Sequence, residues 1–198
     1  MNLLQANAEA VDLAFVQGGI EAKESGLTSL GSMYYEPVWI FYRKQQTIRL
    51  LSDLEGKKIV IGADGSGTQA LARVLLQMNH IDEQSAQIIT ATEQLLQDML
   101  HAGQADVVFL VASPSSEQVQ LLLRDPDIKL LDMQRAQAYT RVVPYLSAIT
   151  LPQGVLDFDT NLPAEDTRLL ATTANLVANP DLHPALISLI LQAASQVH

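Results

Sequence analysis

The sequence predicts an α/β fold with a mostly parallel sheet, and three observations predict it. Short apolar, β-branched runs alternate with stretches whose apolar residues recur at helical spacing. The connections between them are brief and carry Gly, Pro, Asp and Ser. A pattern also repeats: AEAVDLAFVQ at 8–17 and AGQADVVFLVA at 102–112 both read as helix end, tight turn, aspartate and buried strand. Asp12 matches Asp106 and Phe15 matches Phe109. Two copies roughly ninety residues apart indicate two lobes of similar build, with two ordinary αβ corners as the alternative.

Taken in order, residues 3–9 read as a helix end, and Val11 to Val16 as a buried strand that Gly18-Gly19 breaks. The run LGSMYYEPVWIFYR at 30–43 holds Tyr34, Tyr35, Trp39, Phe41 and Tyr42, half of the chain's aromatics. Its second half has strand composition, and Pro37 belongs at the first strand residue because it has no N–H for a ladder. Ser52 to Gly56 is a turn, followed by a short buried strand from Lys58 to Gly62. Ser66 and Gln69 have capping-box spacing and open a helix whose face is Leu71, Val74, Leu75 and Met78, ending at Asn79-His80. A helix over Thr92–His101 stops at Gly103, and Asp106 to Val111 is the next strand. Ser115 and Gln118 repeat the capping spacing before Val119, Leu122 and Leu123; Pro126 closes that helix ahead of a strand from Ile128 to Leu131. Beyond Arg135, residues 148–156 and 169–178 look extended, with turns at Pro152-Gln153-Gly154 and Asn161-Leu162-Pro163. The last helix starts after His183 with Pro184 at its first position and carries Leu186, Ile187, Ile190 and Leu191.

Composition narrows the chemistry. With 198 residues, 48% hydrophobic, the chain has the material for one large domain or two small lobes. No apolar run reaches the roughly 18 residues that cross a bilayer, and the first residues do not read as a secretion signal. Twelve basic against 22 acidic residues give a charge of −10, which repels nucleic acid, and no basic stripe offsets it. Without cysteine there is no disulfide, thiolate nucleophile or Cys-based zinc site. The four histidines (His80, His101, His183, His198) are isolated, no HExxH or GxSxG occurs, and Asp125/Asp127 and Asp157/Asp159 read as solvated turn formers. Neither an enzyme, a metal centre nor a cofactor is expected.

The best functional signal is GADGSGT at 62–68, between a strand and a helix N-terminus. Unpaired N–H groups and the positive end of the helix dipole attract an anion there. Gly65 and Gly67 let the backbone come close to a ligand, and Ser66 and Thr68 add hydroxyls. Gln69 and Ala70 stand where a phosphate-binding loop would place Lys and Ser/Thr, so a small carboxylate suits the corner better than a triphosphate. A capped αβ corner with no ligand is the alternative. Ser113 and Ser115 lie in a second polar loop at a strand end, where ligands of open α/β sheets bind. Gln17 ends the first copy of the repeat, and Tyr35 and Glu36 precede a strand; all three could face a ligand across a cleft.

Together EAVDLAFVQGG, LGSMYYEPVWIFYR, LLSDLEGKKIVIGADGSGTQALARVLL and QADVVFLVASPSSEQVQLLL, in that order, resemble the solute receptors of the TAXI class of TRAP transporters, with YLSAITLPQGV and LLATTANLV continuing more loosely. The resemblance implies a two-lobed type II periplasmic binding-protein fold. Residues 1–44 and 136–198 would form a partial first lobe and 45–135 the second, with VWIFYR as the outgoing crossing and the return near 136–150. It implies a periplasmic or other extracytoplasmic receptor that captures a small organic anion, glutamate-like or a 2-oxo acid, for ion-gradient-driven membrane subunits. Gln17, Tyr35, Glu36, Gly65, Ser66, Gly67, Thr68, Ser113 and Ser115 would line its site. A ligand-sensing or interaction domain uncoupled from transport is the alternative. Family members begin with a signal peptide and a strand–loop–helix unit to which nothing here corresponds. Part of the first lobe's site is therefore expected to be absent, any membrane anchor is expected outside this chain, and an exposed sheet edge could support a homodimer.

Overall fold

The computed structural model describes residues 12–19 and 27–197; the expected helix end at 3–9 lies outside them. Two compact units share the chain: Met1–Tyr35 with Thr172–His198, and Glu36–Ala171. The chain leaves one for the other inside a 16-residue strand, β2 (Thr28–Arg43), and returns inside β8 (Thr167–Ala178).

The larger unit is built on alternation. Its strands are the second half of β2, β3 (Lys58–Val60), β4 (Gln87–Ile89), β5 (Val107–Val111), β6 (Ile128–Leu130), β7 (Ser147–Leu151) and the first half of β8. β3 runs parallel to β4 (Ile59↔Ile88) and to β5 (Val60↔Val108). β2 is antiparallel to β5 (Ile40↔Phe109) and to β6 (Tyr42↔Lys129), and β7 to β8 (Ile149↔Leu169). Among these pairings the parallel ones lie in the β4–β3–β5 block, and the fold is mixed α/β. Because successive strand residues point to opposite faces, Val38, Ile40 and Tyr42 join Ile59, Ile61 and Phe109 in one core. Trp39 and Phe41 join Val60, Val108 and Leu110 in the other. Both faces are covered, which is why these strands read as continuous apolar runs.

Helix α1 (Gly67–Met78) buries Leu71, Ala72, Leu75 and Leu76 in the first core. Its C-terminus closes as Ile81 N–H donates to Leu76 O, with His80 in the left-handed region at φ 59. A 3₁₀ turn (Glu93–Leu95), α2 (Leu96–His101) and α3 (Glu117–Arg124) cover the second core through Leu96, Leu100, Val119 and Leu122. Residues 136–150, expected to carry the return crossing, instead form α4 (Ala136–Val142) and β7 within this unit. Pro37 is interior to β2 rather than at its start; it stands just before Val38, where pairing with β5 begins.

In the smaller unit, β1 (Leu13–Gln17) lies antiparallel to the second half of β8, from Leu13↔Ala178 to Gln17↔Ala174. Gly18 follows because nothing larger fits: a Cβ there would sit 2.8 Å from Thr172 Oγ1. β1 is not the buried strand expected. Leu13 and Phe15 are exposed, only Val16 of the strand is buried, and the Phe15 ring leans on Tyr34 at 5.9 Å. The last helix, α5 (Pro184–Val197), starts at Pro184 as expected, but Leu186, Leu189 and Leu191 are exposed.

Candidate functional site

Parallel β4, β3 and β5 end on the same edge of the larger unit, so the loops at 90–92, 61–66 and 112–116 form a single rim. The glycine corner is its middle. Gly62 has φ +91, and an added Cβ would meet Ser66 Oγ and Thr68 Cβ at 2.9 Å, so the chain turns there only with glycine. Gly65 is also left-handed, at φ 74. Ser66 is extended and caps α1, its Oγ accepting from Gln69 N–H at 3.1 Å. The reciprocal half of the expected capping box shifts by one residue. Gln69 Oε1 accepts from Gly65 N–H at 2.9 Å, and Gln69 Nε2 donates to Asp64 Oδ1 at 2.9 Å. The Gly65 N–H, expected to face a ligand, is therefore already held by the protein's own amide.

Thr68 turns inward. It is buried, and its Oγ1 accepts from Val111 N–H at 3.1 Å, tying the start of α1 to the end of β5. The neighbouring loop is fixed too: Trp39 Nε1 donates to Ala112 O at 2.9 Å, and Gln120 Nε2 to Pro114 O at 2.8 Å. Ser113 and Ser115 share a hydroxyl hydrogen bond of 2.8 Å and are exposed. The expected cap, Ser115, is displaced by one: Ser116 Oγ accepts from Val119 N–H and α3 begins at Glu117. Here Ser115 N–H turns back onto Ser113 Oγ, so Ser115 is not positioned to cap the helix.

Glu36 lies on β2 beside β5, two residues before the Val38↔Val111 pair. It is half-buried, and that burial pushes its carboxyl above the ordinary value. Among the described residues its carboxylate has no hydrogen bond or ion pair. Burial likewise raises Glu93, after β4, which sequence reasoning did not single out. Of the expected site residues, Gly65, Ser66, Gly67, Thr68, Ser113, Ser115 and Glu36 are brought to this rim, while Gln17 and the exposed Tyr35 belong to the smaller unit.

Away from the rim, His101 is not isolated and Asp125 is not a solvated turn former. Asp125 is 9% exposed; its Oδ2 lies 2.6 Å from His101 Nε2 and accepts from Gln97 Nε2 at 2.7 Å, while Oδ1 accepts from Asp127 N–H at 3.0 Å. His101, Asp125 and Asp127 hold their ligand atoms within 4.8 Å of one another. The carboxylate of Asp125 is already spent on three partners, and the group serves to pin the α2 end to the turn before β6.

No curated protein sequence matches the chain. Solved structures match in fold. The periplasmic aliphatic sulphonate binding protein SsuA of Escherichia coli superposes at TM-score 0.61 with 18% identity, over 98% of this chain and 57% of that one. The substrate binding protein of an amino acid ABC transporter does so at 0.56 and 14%, over 98% and 69%. The arginine-bound truncated ArgBP of T. maritima gives 0.58 and 12%, over 99% and 73%. The chain thus spans little more than half the length of SsuA. These likenesses show the fold, a mixed α/β architecture of the type II periplasmic binding-protein kind. The NMT1-like family model matches residues 5–194, nearly the whole chain, and the protein belongs to that family.

Proposed function

We propose that the chain is the ligand-capturing part of an extracytoplasmic solute receptor, which binds a small organic carboxylate without chemical change and presents it to membrane transporter subunits. The observation that carries this reading is the convergence of the capped N-terminus of α1, the glycine corner and the Ser113–Ser115 loop on one rim. A carboxylate there would meet the α1 N-terminus and the hydroxyls of Ser66, Ser113 and Ser115. A helix N-terminus contributes about 0.3–1 kcal/mol at a wet surface and about 2 when partly buried, so several such donors have to act together. The family and the periplasmic neighbours support solute binding rather than catalysis.

The transport partner belongs to the same proposal. The sequence resemblance favours TRAP-type subunits of the TAXI class, driven by an ion gradient, whereas the fold neighbours include a substrate-binding protein of an ABC transporter. No helix among the described residues is long and apolar enough to cross a membrane, so in this proposal separate subunits carry the solute across. The lobe limits implied by the resemblance, with 45–135 as one lobe, keep the corner and the serine loop together. So does the division at 35/36 and 171/172. A homodimer through β1, which pairs only with β8 among the described residues, completes the proposal and would appear as doubled mass in light scattering.

The decisive experiment is thermal shift and calorimetry of the chain against small mono- and dicarboxylates, with neutral sugars as the comparison. Stabilisation by carboxylates alone is expected. Stabilisation by neutral solutes and not by acids would refute carboxylate capture.

A further inference from the structure

We infer that the larger unit carries a second ligand site, apart from the rim, which takes a monoanion with an apolar body, and that Tyr42, Arg49 and Lys129 hold its acidic headgroup. A cavity of about 660 Å³ is lined by the end of β2, by β6, by the last turn of α3 and by the 162–167 segment, all within that unit. Its volume suits a small organic molecule. It lies at the opposite end of the strands from the rim: Tyr42 pairs with Val107 at the start of β5, whereas the rim gathers beyond Val111 at its end. None of the residues expected from the sequence to bind ligand lines it.

Polar and apolar groups are segregated across β6, which among the described residues pairs only with β2 and leaves its outer edge to the cavity. Lys129 is the direct partner of Tyr42 in the β2–β6 ladder, so both side chains leave the sheet on one face. Ile128 and Leu130 point to the other face, where they join Leu122 and Leu123 in the second core. A ligand across this edge meets donors at one end and hydrocarbon at the other. Tyr42 is only 9% exposed, and among the described residues its hydroxyl has no hydrogen-bond partner. Every fully buried side-chain nitrogen or oxygen has one, so this hydroxyl reaches open space, and the space that Tyr42 lines is the cavity. Burial raises its pKa, which keeps it a proton donor. The Arg49 guanidinium and the Lys129 ammonium border the same space, and neither is in a hydrogen bond or ion pair among the described residues. Arg49 touches Asp53 through its backbone N–H, and its side chain acts on that carboxylate only through space. The lining acids differ: Asp132 is paired with Arg168, and Asp166 accepts from Gln153 N–H at 2.8 Å. Asp166 and its neighbour Glu165 still oppose a second negative charge on the ligand, which limits it to one.

The test is calorimetry of the full chain with octanoate, alongside acetate, 1-octanol and octylammonium, on the native sequence and on Tyr42→Phe and the double variant Arg49→Gln/Lys129→Gln. Octanoate is expected to bind at least about tenfold more tightly than each of the other three. Tyr42→Phe should weaken octanoate about threefold to tenfold, and the double variant at least about tenfold. Should Tyr42→Phe fail to fold, the double variant decides, because both of its side chains are exposed. Octylammonium binding as tightly as octanoate overturns the anion site, and acetate binding as tightly overturns the apolar body. Octanoate affinity that is unchanged in the double variant but lost in Ser113→Ala/Ser115→Ala assigns the acid to the rim and overturns the second site, as does the absence of octanoate binding.

Discussion

Replacing Gly62 with alanine tests whether the glycine corner is a packed structural necessity or a flexible surface loop. Two separate costs apply. At φ +91 an L-residue is strained by roughly 1–2 kcal/mol. The new methyl would also lie 2.9 Å from Ser66 Oγ and Thr68 Cβ and 3.0 Å from Thr68 Cγ2. Thr68 cannot swing aside, because its hydroxyl holds Val111 N–H and its side chain is buried. Overpacking of this kind costs about 1–3 kcal/mol, for a total of roughly 2–5 kcal/mol. Gly56 supplies the control: it is left-handed too, at φ +73, but an added Cβ meets nothing within 4 Å. Gly56→Ala should therefore cost only the strain, about 1–2 kcal/mol. The assay is urea unfolding followed by the fluorescence of Trp39, the chain's one tryptophan, which is fully buried in the larger unit. The midpoint for Gly62→Ala should fall well below that for Gly56→Ala at equal slope. Equal midpoints would refute the claim that the corner is locked by contact with Thr68.

Thr68→Val keeps the shape but removes the acceptor of the Val111 N–H, and should cost about 1–3 kcal/mol in the same unfolding assay. A loss within error would mean that the bond between β5 and α1 carries no weight. For Asp125, burial alone would raise the carboxyl, but hydrogen bonds from Gln97, from the Asp127 N–H and from His101 more than offset it, leaving it below the ordinary carboxylate range. A depressed folded-state value contributes stability above the unfolded-state value, near pH 4, and loses it as pH falls through the folded one. The stability gap between the native chain and Asp125→Asn should thus be open at pH 7 and narrow by pH 3, which urea midpoints at the two pH values will measure.

Where local signals and tertiary demands agreed, the residues spoke for themselves. Helix α1 is announced by its Ser66 cap and by Leu71 and Leu75 on one face, and it runs to Met78, just short of the Asn79-His80 stop. Helix α4 is not announced. Arg135 offers no side-chain cap, and Thr140 and Val142 are poor helix formers; burial of Ala136 and Tyr139 holds it, with Tyr139 OH hydrogen-bonded to Asn79. β4 is three residues long and exists through its parallel pairing with β3, which no short window of sequence contains. At the rim, the motif located the corner because glycine spacing is a backbone property. What the motif could not say is where side chains point. Thr68 looks like a donor and faces β5; Glu36, expected ahead of a strand as a ligand contact, lies within β2 and is half-buried beside a serine loop.

The same distinction sets the role of Gln69. Its side chain occupies the place that the proposal gives to a ligand carboxylate, accepting the Gly65 N–H at 2.9 Å while its amide is anchored on Asp64. Binding an acid at the corner then means exchanging one acceptor for another, and the protein's own acceptor competes without any loss of translational freedom. Removing it with Gln69→Ala should move two quantities in opposite directions. Stability should fall by about 0.5–1.5 kcal/mol for each hydrogen bond lost, since both groups return to water. Carboxylate affinity should rise, because the Gly65 N–H becomes available and the Asp64 carboxylate is freed to turn toward solvent. A structural cap that never meets ligand would change stability alone. Calorimetry with a bound acid and urea unfolding on the same variant separate the two roles; lower stability with unchanged affinity would remove the Gly65 N–H from the set of ligand donors.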